Sequence, residues 1–238
     1  MYIDIHAHIL PNVDDGSKSI KESLSMLSQL KQQGVKAVAL SPHFYPHVET
    51  SLEEYKERIL PRFRELKEAA AGFFDELYLG SEVHLFHGIS TFSAINSLCI
   101  EKSKYILIEL PYRRISSRTV NDIIDLNLCR GVMPILAHIE RYKKFENFDK
   151  ILSLIEDGYA LGQVNAYSFL NFRTRSTVCR LVKNGYVQFI ASDSHSADTI
   201  PPRIGDAFKV IEKKLGREAA QTLRDNANKL YEEIKEGK

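Results

Sequence analysis

Two histidines lie two positions apart at the end of the first apolar segment, as His6 and His8 in Asp4-Ile5-His6-Ala7-His8. On a β-strand alternate side chains share a face, so both imidazoles would project in the same direction, with Cβ atoms roughly 6 to 7 Å apart. Two such rings can bind one cation at a metal–nitrogen distance of about 2 Å. The spacing therefore predicts a metal site at the end of this strand.

Six further candidate ligands also follow apolar segments. Asp193 and His195 repeat the two-residue spacing after residues 187–191, and the other four are His43, Glu82, Glu109 and His138. An ionised carboxylate such as Glu109 is costly in a buried strand, so it must pair with a cation, either a metal or an arginine, be protonated, or face water. All these donors are nitrogen or oxygen, which favours manganese, iron or zinc over a soft-metal site. We interpret the other histidines, His47, His84 and His87, as surface residues.

Two arginines follow candidate ligands, Arg141 after His138 and Arg203 after His195. The planar guanidinium matches the oxygens of a phosphate and stays charged at neutral pH. A pair of arginines beside metal ions would suit a phosphoryl substrate, whereas solvated loop arginines are the simpler alternative.

The elements that must position these groups are short aliphatic segments alternating with amphipathic ones. We predict strands at 2–6, 35–40, 77–83, 105–110, 132–137, 160–164 and 187–191, and helices at 17–33, 52–71, 119–130, 148–157, 172–184, 204–214 and 218–235. This order indicates the α/β class. Because the chain has no Gly-rich nucleotide loop, we favour a TIM-like barrel with seven units instead of eight over an open sheet. We predict that residues 1–238 form a single domain. The carboxyl ends of barrel strands open onto one face, where the candidate ligands would meet.

The composition narrows the class of protein further. With 32 basic against 31 acidic residues the net charge is +1, so no overall field favours nucleic acid or anionic lipid. No apolar stretch is long enough to span a bilayer. Three scattered cysteines without a Cys-x-x-Cys pair suit a reducing cytoplasm. The residues six positions after these cysteines are Tyr105, Ile135 and Gly185, not the arginine that a cysteine phosphatase needs, and no Gly-x-Ser-x-Gly or P-loop motif occurs.

Six segments in order carry a resemblance that covers nearly the whole chain. They are Asp4-Ile5-His6-Ala7-His8-Ile9-Leu10-Pro11 with Asp14-Asp15-Gly16, Ser41-Pro42-His43, Gly80-Ser81-Glu82-Val83, Tyr105-Ile106-Leu107-Ile108-Glu109, Ala137-His138-Ile139-Glu140-Arg141-Tyr142 and Ala191-Ser192-Asp193-Ser194-His195. Together they resemble the PHP-type bacterial protein-tyrosine phosphatases of capsule and exopolysaccharide operons. Ile139 stands where that family usually has proline and Ser194 where alanine is usual, and neither departure removes a candidate ligand.

The resemblance implies a distorted seven-stranded TIM-like (β/α)7 barrel, the PHP fold, that holds up to three divalent metal ions, commonly manganese. It implies one ion at His6, His8, Glu82 and Asp193. A second ion would lie at Glu82, Glu109 and His138, and a third at Asp14, His43 and His195. Arg141 and Arg203 would bind the phosphate of phosphotyrosine, which a metal-activated hydroxide would hydrolyse without a covalent enzyme intermediate.

The substrate implied by the resemblance is a protein that carries phosphotyrosine, namely a bacterial tyrosine kinase of polysaccharide synthesis. We expect the chain to act in the cytoplasm. Three alternatives stay open. A PHP phosphatase for a small phosphomonoester such as histidinol phosphate would have nearly the same ligands. An amidohydrolase or TatD-like nuclease also opens with His-x-His on a barrel strand, but Asp193-x-His195 with early Asp14 and His43 favours the PHP pattern. A metal-stabilised binding module without turnover is the third.

Overall fold

The computed structural model describes residues 2–49, 51–74 and 76–236. The strands are β1 (Tyr2–Ala7), β2 (Val35–Leu40), β3 (His43–Phe44), β4 (Leu77–Leu79), β5 (Glu82–His84), β6 (Tyr105–Glu109), β7 (Met133–Leu136), β8 (Leu161–Asn165) and β9 (Phe189–Ala191). The α-helices are α1 (Ile20–Gln32), α2 (Leu52–Ala70), α3 (Ser117–Arg130), α4 (Asp149–Glu156), α5 (Ala166–Leu170), α6 (Arg175–Lys183), α7 (Ile204–Leu215) and α8 (Arg217–Glu236). Single 3₁₀ segments cover Ile89–Thr91, Ile95–Leu98 and Ile139–Lys144.

All the strand pairs are parallel, as a chain of alternating strands and helices requires. One sheet has the order β1-β2-β4 and the other the order β3-β5-β6-β7-β8-β9. Both sheets belong to one curled surface, because β3 continues β2 beyond Ser41-Pro42 and β5 continues β4 beyond Gly80-Ser81. A parallel bridge between Ala7 and Ser194 joins the two outer edges. The predicted α/β class with a barrel-like parallel sheet is confirmed.

The described residues form nine strands instead of the predicted seven, because the predicted strand at 77–83 is divided into β4 and β5 and because β3 was not predicted. The predicted strand at 77–83 breaks at Gly80, where a Cβ would lie 3.0 Å from the Ile100 side chain. The backbone still bonds across the break, since Gly80 N donates to Leu40 O (2.8 Å) and Glu82 N donates to Pro42 O (3.0 Å). The short helix α5 and the 3₁₀ turn Ile139–Lys144 were not predicted, because segments of one or two turns carry no clear hydrophobic period.

The register of β1 is irregular around His6, between Asp4 and Ala7. Asp4 pairs with Val38 and Ala7 with Leu40, so three steps along β1 match two along β2. Such an irregularity shifts the alternation of side chains between the two faces. Ile5 therefore packs in an apolar cluster with Ile3, whereas Ala7 joins the other cluster. His6 reaches the mouth of the barrel as a result.

The strands divide their apolar side chains between two clusters, as the alternation of a curled sheet requires. The inner cluster contains Ile3, Ile5, Ala37, Ala39, Tyr105, Leu107, Ile135, Phe189 and Ala191. Helix α8 completes it with Ala227, Leu230, Tyr231 and Ile234. The outer cluster joins the opposite strand faces to the surrounding helices, including Met26, Leu27 and Leu30 of α1.

Helix α8 lies across the amino ends of the strands. Glu233 accepts a hydrogen bond from the hydroxyl of Tyr105, the first residue of β6 (3.1 Å), and Asn226 donates to the carbonyl of Gln188, just before β9 (3.2 Å). The amino end of the barrel is thus closed by a helix, and the carboxyl end is left for the candidate site. Within the described ranges, no helix combines the length and the apolar content that crossing a bilayer would require.

Candidate metal centre

The carboxyl ends of the strands bring the predicted ligands into one site. His6 lies near the end of β1, His43 begins β3, Glu82 begins β5 and Glu109 ends β6. His138 follows β7, while Asp193 and His195 follow β9. His6, His8, Glu82, Glu109, His138 and Asp193 are all buried. Groups that prefer water or a charge partner are here enclosed together, which a shared cation would explain.

The first cluster contains His6, His8 and Asp193, with Glu82 beside them. His6 Nε2 lies 3.2 Å from His8 Nε2, 3.3 Å from Glu82 Oε2 and 3.3 Å from Asp193 Oδ1. His8 Nε2 lies 3.2 Å from Glu82 Oε2 and 3.5 Å from Asp193 Oδ1. Ligands about 2.1 Å from one ion lie roughly 3.0 Å apart in an octahedron and 3.4 Å apart in a tetrahedron. The spacing of these four atoms therefore fits one bound cation.

The second cluster contains Glu82, Glu109 and His138. His138 Nε2 lies 3.0 Å from Glu82 Oε1 and 3.9 Å from Glu109 Oε1. Glu82 thus turns one oxygen towards the first cluster and the other towards the second. His84 pairs with the far oxygen of Glu109, with Nδ1 3.0 Å from Oε2. His84 ends β5 and is only partly exposed, so the interpretation of it as a surface residue was wrong.

The third cluster contains His8, Asp15, His43 and His195. Asp15 Oδ1 lies 3.4 Å from His43 Nε2 and 3.5 Å from His195 Nε2. Asp14 lies behind this cluster, where its Oδ2 contacts His8 Nδ1 at 2.9 Å and accepts a hydrogen bond from the His43 backbone N–H at 3.1 Å. The structure thus places Asp15 beside the histidines and Asp14 in the position of a group that orients a ligand.

The loop that carries both aspartates folds tightly back onto β1. Ser17 N donates to His8 O (3.0 Å), and Gly16 N donates to Asp14 Oδ1 (2.9 Å). A Cβ at Gly16 would collide with the backbone carbonyl and the Cβ of His8, so only glycine permits this approach. The Asp-Asp-Gly motif can be read from the sequence, but this turn decides which of the two adjacent carboxylates faces the histidines.

An unpartnered nitrogen of His43 supports the fit to a metal. Nδ1 of His43 is buried and has no hydrogen-bond partner among the described residues, and the same holds for Nδ1 of His138, although His138 turns its other nitrogen, Nε2, towards Glu82. His43 Nδ1 lies 3.1 Å from Glu82 Oε2, yet the two atoms are not aligned for a hydrogen bond. Buried polar atoms without partners are rare in proteins and require an explanation. Close but misaligned donors are expected where several ligands point at one ion rather than at each other.

The electrostatics of the site also favour a cation. Burial alone would lower the pKa of His6, but the charges of Glu82 and Asp193 outweigh burial and raise it. Burial would also lower the pKa of His8, but the hydrogen bonds and charges of Asp14 and Glu82 raise it well above its usual value. Burial would raise the pKa of Asp193, but His6, His138 and Arg141 lower it to about 2. Carboxylates so strongly ionised in a buried site create the negative potential that attracts metal ions.

A second layer of amides connects the clusters. Gln163 on β8 accepts a hydrogen bond from the His138 backbone N–H (2.8 Å), with the same oxygen 3.3 Å from His6 Nδ1. Its amide group donates to Asn165 Oδ1 (2.9 Å), and Asn165 donates to Asp193 Oδ2 (2.6 Å). Strand β8 supplies no predicted ligand, but it orients the ligands of its neighbours.

Two of the candidate ligands have left-handed backbones. His138 has φ 36° and Asp193 has φ 50°, a region that non-glycine residues occupy at a cost of about 1–3 kcal/mol. In both cases the strand has just ended, and the turn directs the side chain towards the centre. Such strain is typical of functional sites, where the surrounding structure maintains it.

Residues 2–232 match the family model "Capsular polysaccharide synthesis, CpsB/CapC". The chain belongs to the CpsB/CapC family. The family predicted from the sequence motifs is therefore confirmed.

Individual CpsB/CapC relatives match along their whole length. The tyrosine-protein phosphatase CpsB of Streptococcus pneumoniae is 29% identical, covering 96% of this chain and 97% of its own. A crystal structure from a study of YwqE from Bacillus subtilis and CpsB from S. pneumoniae, described as unique metal-dependent tyrosine phosphatases, matches with a TM-score of 0.82. It is 28% identical and covers 97% of this chain and 94% of its own. The histidinol phosphate phosphatase of Lactococcus lactis has a TM-score of 0.53 at 13% identity over 95% and 94% of the chains, which shows the fold alone.

The two predicted phosphate-binding arginines occupy different positions in this CpsB/CapC chain. Arg141 lies at the centre, where Nη2 donates to Asp193 Oδ2 (2.5 Å) and Nη1 donates to the hydroxyl of Tyr112 (3.1 Å). Arg203 precedes α7 and pairs with Asp206 three residues later (3.2 Å). Sequence reasoning therefore missed Asp15, His84, Tyr112 and the amides of β8, since only the folded turns reveal their positions.

Proposed function

We propose that this chain is a metal-dependent protein-tyrosine phosphatase that acts in capsular or exopolysaccharide synthesis. The observation that carries the proposal is the convergence of three clusters of nitrogen and oxygen donors at the carboxyl end of the barrel, beside Arg141. Two of the clusters are buried, and the third includes the exposed Asp15. Donors of this kind suit manganese, iron or zinc, and we propose manganese. The names of the full-length relatives, tyrosine-protein phosphatases, support the choice of substrate.

The residues divide into three sets by what they would do. We propose that His6, His8, Glu82 and Asp193 hold one ion, that Glu82, Glu109 and His138 hold a second, and that His43, His195 and Asp15, rather than Asp14, hold a third. When bound, the ions lower the pKa of water and so supply hydroxide at neutral pH. Arg141 would bind the phosphoryl oxygens and stabilise their charge during hydrolysis. The predicted role of Arg203 would require its guanidinium to leave Asp206.

The wider setting is also a proposal. We propose that residues 1–238 form one domain, that it works in the cytoplasm, and that its substrate is the phosphorylated tyrosine of a bacterial kinase of polysaccharide synthesis. Because the net charge of this chain is only +1, we propose that the partner is recognised by its phosphotyrosine and not by long-range attraction to a charged protein surface.

The test is a comparison of substrates and metals. Protein purified without chelator should contain bound divalent metal by elemental analysis and should release phosphate from a phosphotyrosine peptide. Chelation should abolish release and added Mn²⁺ should restore it, because the ions supply the nucleophile. Histidinol phosphate, assayed in parallel, tests the alternative of a phosphatase for small phosphomonoesters, which would have nearly the same metal ligands.

Each outcome separates one alternative. Preference for histidinol phosphate over the peptide would contradict the tyrosine phosphatase and favour a phosphatase of small metabolites. Hydrolysis of amides or nucleic acid without phosphomonoester turnover would favour an amidohydrolase or nuclease. Bound metal without turnover of any aryl phosphate would leave a metal-stabilised binding module.

A further inference from the structure

Arg141 is held at the metal centre by two anchors. Its Nη1 donates to the Tyr112 hydroxyl at 3.1 Å and its Nη2 donates to Asp193 Oδ2 at 2.5 Å. A guanidinium has five N–H donors in a planar fork, so these two bonds leave three donors for a phosphate. The arginine side chain is 42% exposed, and a long side chain at such a position has many rotamers unless its head is held.

Tyr112 is itself fixed in place. It follows β6 and Pro111, and its ring packs parallel to that of Tyr142, with centroids 5.3 Å apart and planes inclined by 19°. Tyr142 is fully buried, and its hydroxyl donates to the carbonyl of Leu110 at 2.7 Å. Arg141 and Tyr142 are neighbours in one 3₁₀ turn. This turn therefore supplies both the ring that packs against Tyr112 and the guanidinium that bonds to its hydroxyl.

The two anchors of Arg141 differ in their other duties. Asp193 directs Oδ1 towards His6 Nε2 (3.3 Å), within the first cluster, and its Oδ2 also accepts from Asn165 (2.6 Å). Tyr112 takes part in none of the three donor clusters found among the described residues. Of the two anchors, Tyr112 alone can be altered without changing a proposed metal ligand.

We propose that Tyr112 is a positioning residue, whose hydroxyl holds the Arg141 guanidinium over the metal centre in the orientation that binds the phosphoryl group of the substrate. This inference rests on the proposed phosphatase function and adds a residue that the donor clusters do not include. Tyr112 acts through Arg141, so the hydroxyl matters only while the guanidinium is present.

The first test removes the hydroxyl and keeps the ring. Tyr112→Phe retains the packing against Tyr142, so the fold and the metal content should be unchanged. The inhibition constant of inorganic phosphate, and KM for an aryl phosphate, should rise roughly 3- to 10-fold, the worth of one hydrogen bond. The rise in KM should exceed any fall in kcat. Tyr167→Phe, which removes the hydroxyl of an exposed tyrosine on α5, is the matched control and should leave both constants unchanged.

A double-mutant cycle distinguishes positioning from direct contact. In an Arg141→Ala background, adding Tyr112→Phe should leave the inhibition constant of phosphate where Arg141→Ala alone puts it. A further rise of the same size would show that Tyr112 acts independently of Arg141 and would overturn the inference. Wild-type constants for the single variant Tyr112→Phe, with normal metal content, would overturn it as well.

The two proposals fail in different ways. The substrate class is tested on the wild-type protein, by turnover of the phosphotyrosine peptide against histidinol phosphate. The role of Tyr112 is tested by ratios between variants, with inorganic phosphate and a generic aryl phosphate as probes. A protein that prefers histidinol phosphate would contradict the proposed substrate and still report whether Tyr112 positions Arg141.

Discussion

The carboxyl and amino ends of the strands complete the same barrel in different ways. At the amino end, α8 covers the inner cluster with Leu230, Tyr231 and Ile234, and its Glu233 and Asn226 side chains form hydrogen bonds with Tyr105 and Gln188. At the carboxyl end, buried histidines and carboxylates face each other, and some of their nitrogens have no partner among the described residues. Burial of apolar surface stabilises the fold, whereas burial of charge costs free energy until a cation compensates it. The groups that stabilise the fold and the groups suited to chemistry therefore lie at opposite ends of the barrel.

The largest effect is expected at the carboxyl end. His6→Ala removes a proposed ligand of the first ion, so hydrolysis of an aryl phosphate should fall more than about 100-fold, beyond the loss typical of a group that only orients a ligand. Elemental analysis should show less bound metal, while circular dichroism should show a preserved fold. His87→Ala changes a histidine outside the clusters and should stay active. Near-normal activity in His6→Ala would place the metal centre elsewhere.

The amino end should respond in stability and not in chemistry. Leu230→Ala leaves a cavity in the inner cluster, so the free energy of unfolding in urea should fall by about 2–5 kcal/mol. The kcat per bound metal should remain that of the wild type at temperatures where the variant is folded. Lys229→Ala, on the exposed side of α8, is the control and should change stability little. A loss of kcat in folded Leu230→Ala would break the separation between the two ends.

At the carboxyl end, the adjacent residues Asp14 and Asp15 should differ in their effect on metal binding. Asp14→Ala removes a partner that orients His8, and metal affinity should fall by about 10- to 100-fold. Asp15→Ala removes a proposed ligand, and loss of the third ion should exceed that of Asp14→Ala. Isothermal titration with Mn²⁺ measures both. The opposite order would restore Asp14 as the ligand that the sequence motif implied.

The smallest effect concerns one hydrogen bond at the amino end. Tyr105→Phe removes the hydroxyl that donates to Glu233 on α8, and the free energy of unfolding should fall by about 0.5–1.5 kcal/mol. Activity should not change. A fall of several kcal/mol would mean that polar contacts, rather than apolar burial, hold α8 against the barrel.

The sequence predicted what depends on local periodicity and on a general rule of barrels. Alternation along a strand predicted that His6 and His8 share a face. The rule that barrels carry their sites at the carboxyl ends of the strands predicted that distant residues such as Glu109 and His138 lie close together. Helix α8 was predicted within one residue at either end, but its position across the amino ends was not, because an amphipathic pattern does not identify what covers it.

What the sequence did not predict depends on single turns. The irregular register of β1 decides that Ala7 joins a different apolar cluster from Ile3 and Ile5, although regular alternation would place all three on one face. The left-handed backbones at His138 and Asp193 are not marked by glycine, and although histidine and aspartate adopt this region more often than most residues, most of them in a chain do not. The choice between Asp14 and Asp15 follows from the close approach of Gly16 to His8, which is a tertiary contact.

Glu82 has a consequence for how cations would fill the centre. Its Oε2 faces His6 and His8, and its Oε1 faces His138. If Glu82 holds two ions as proposed, their binding would be thermodynamically coupled, because the first ion would fix the orientation of the carboxylate and neutralise part of its charge. By linkage, each ion would then change the affinity of the other by the same factor. Titration of the centre with metal would therefore depart from a sum of independent equilibria.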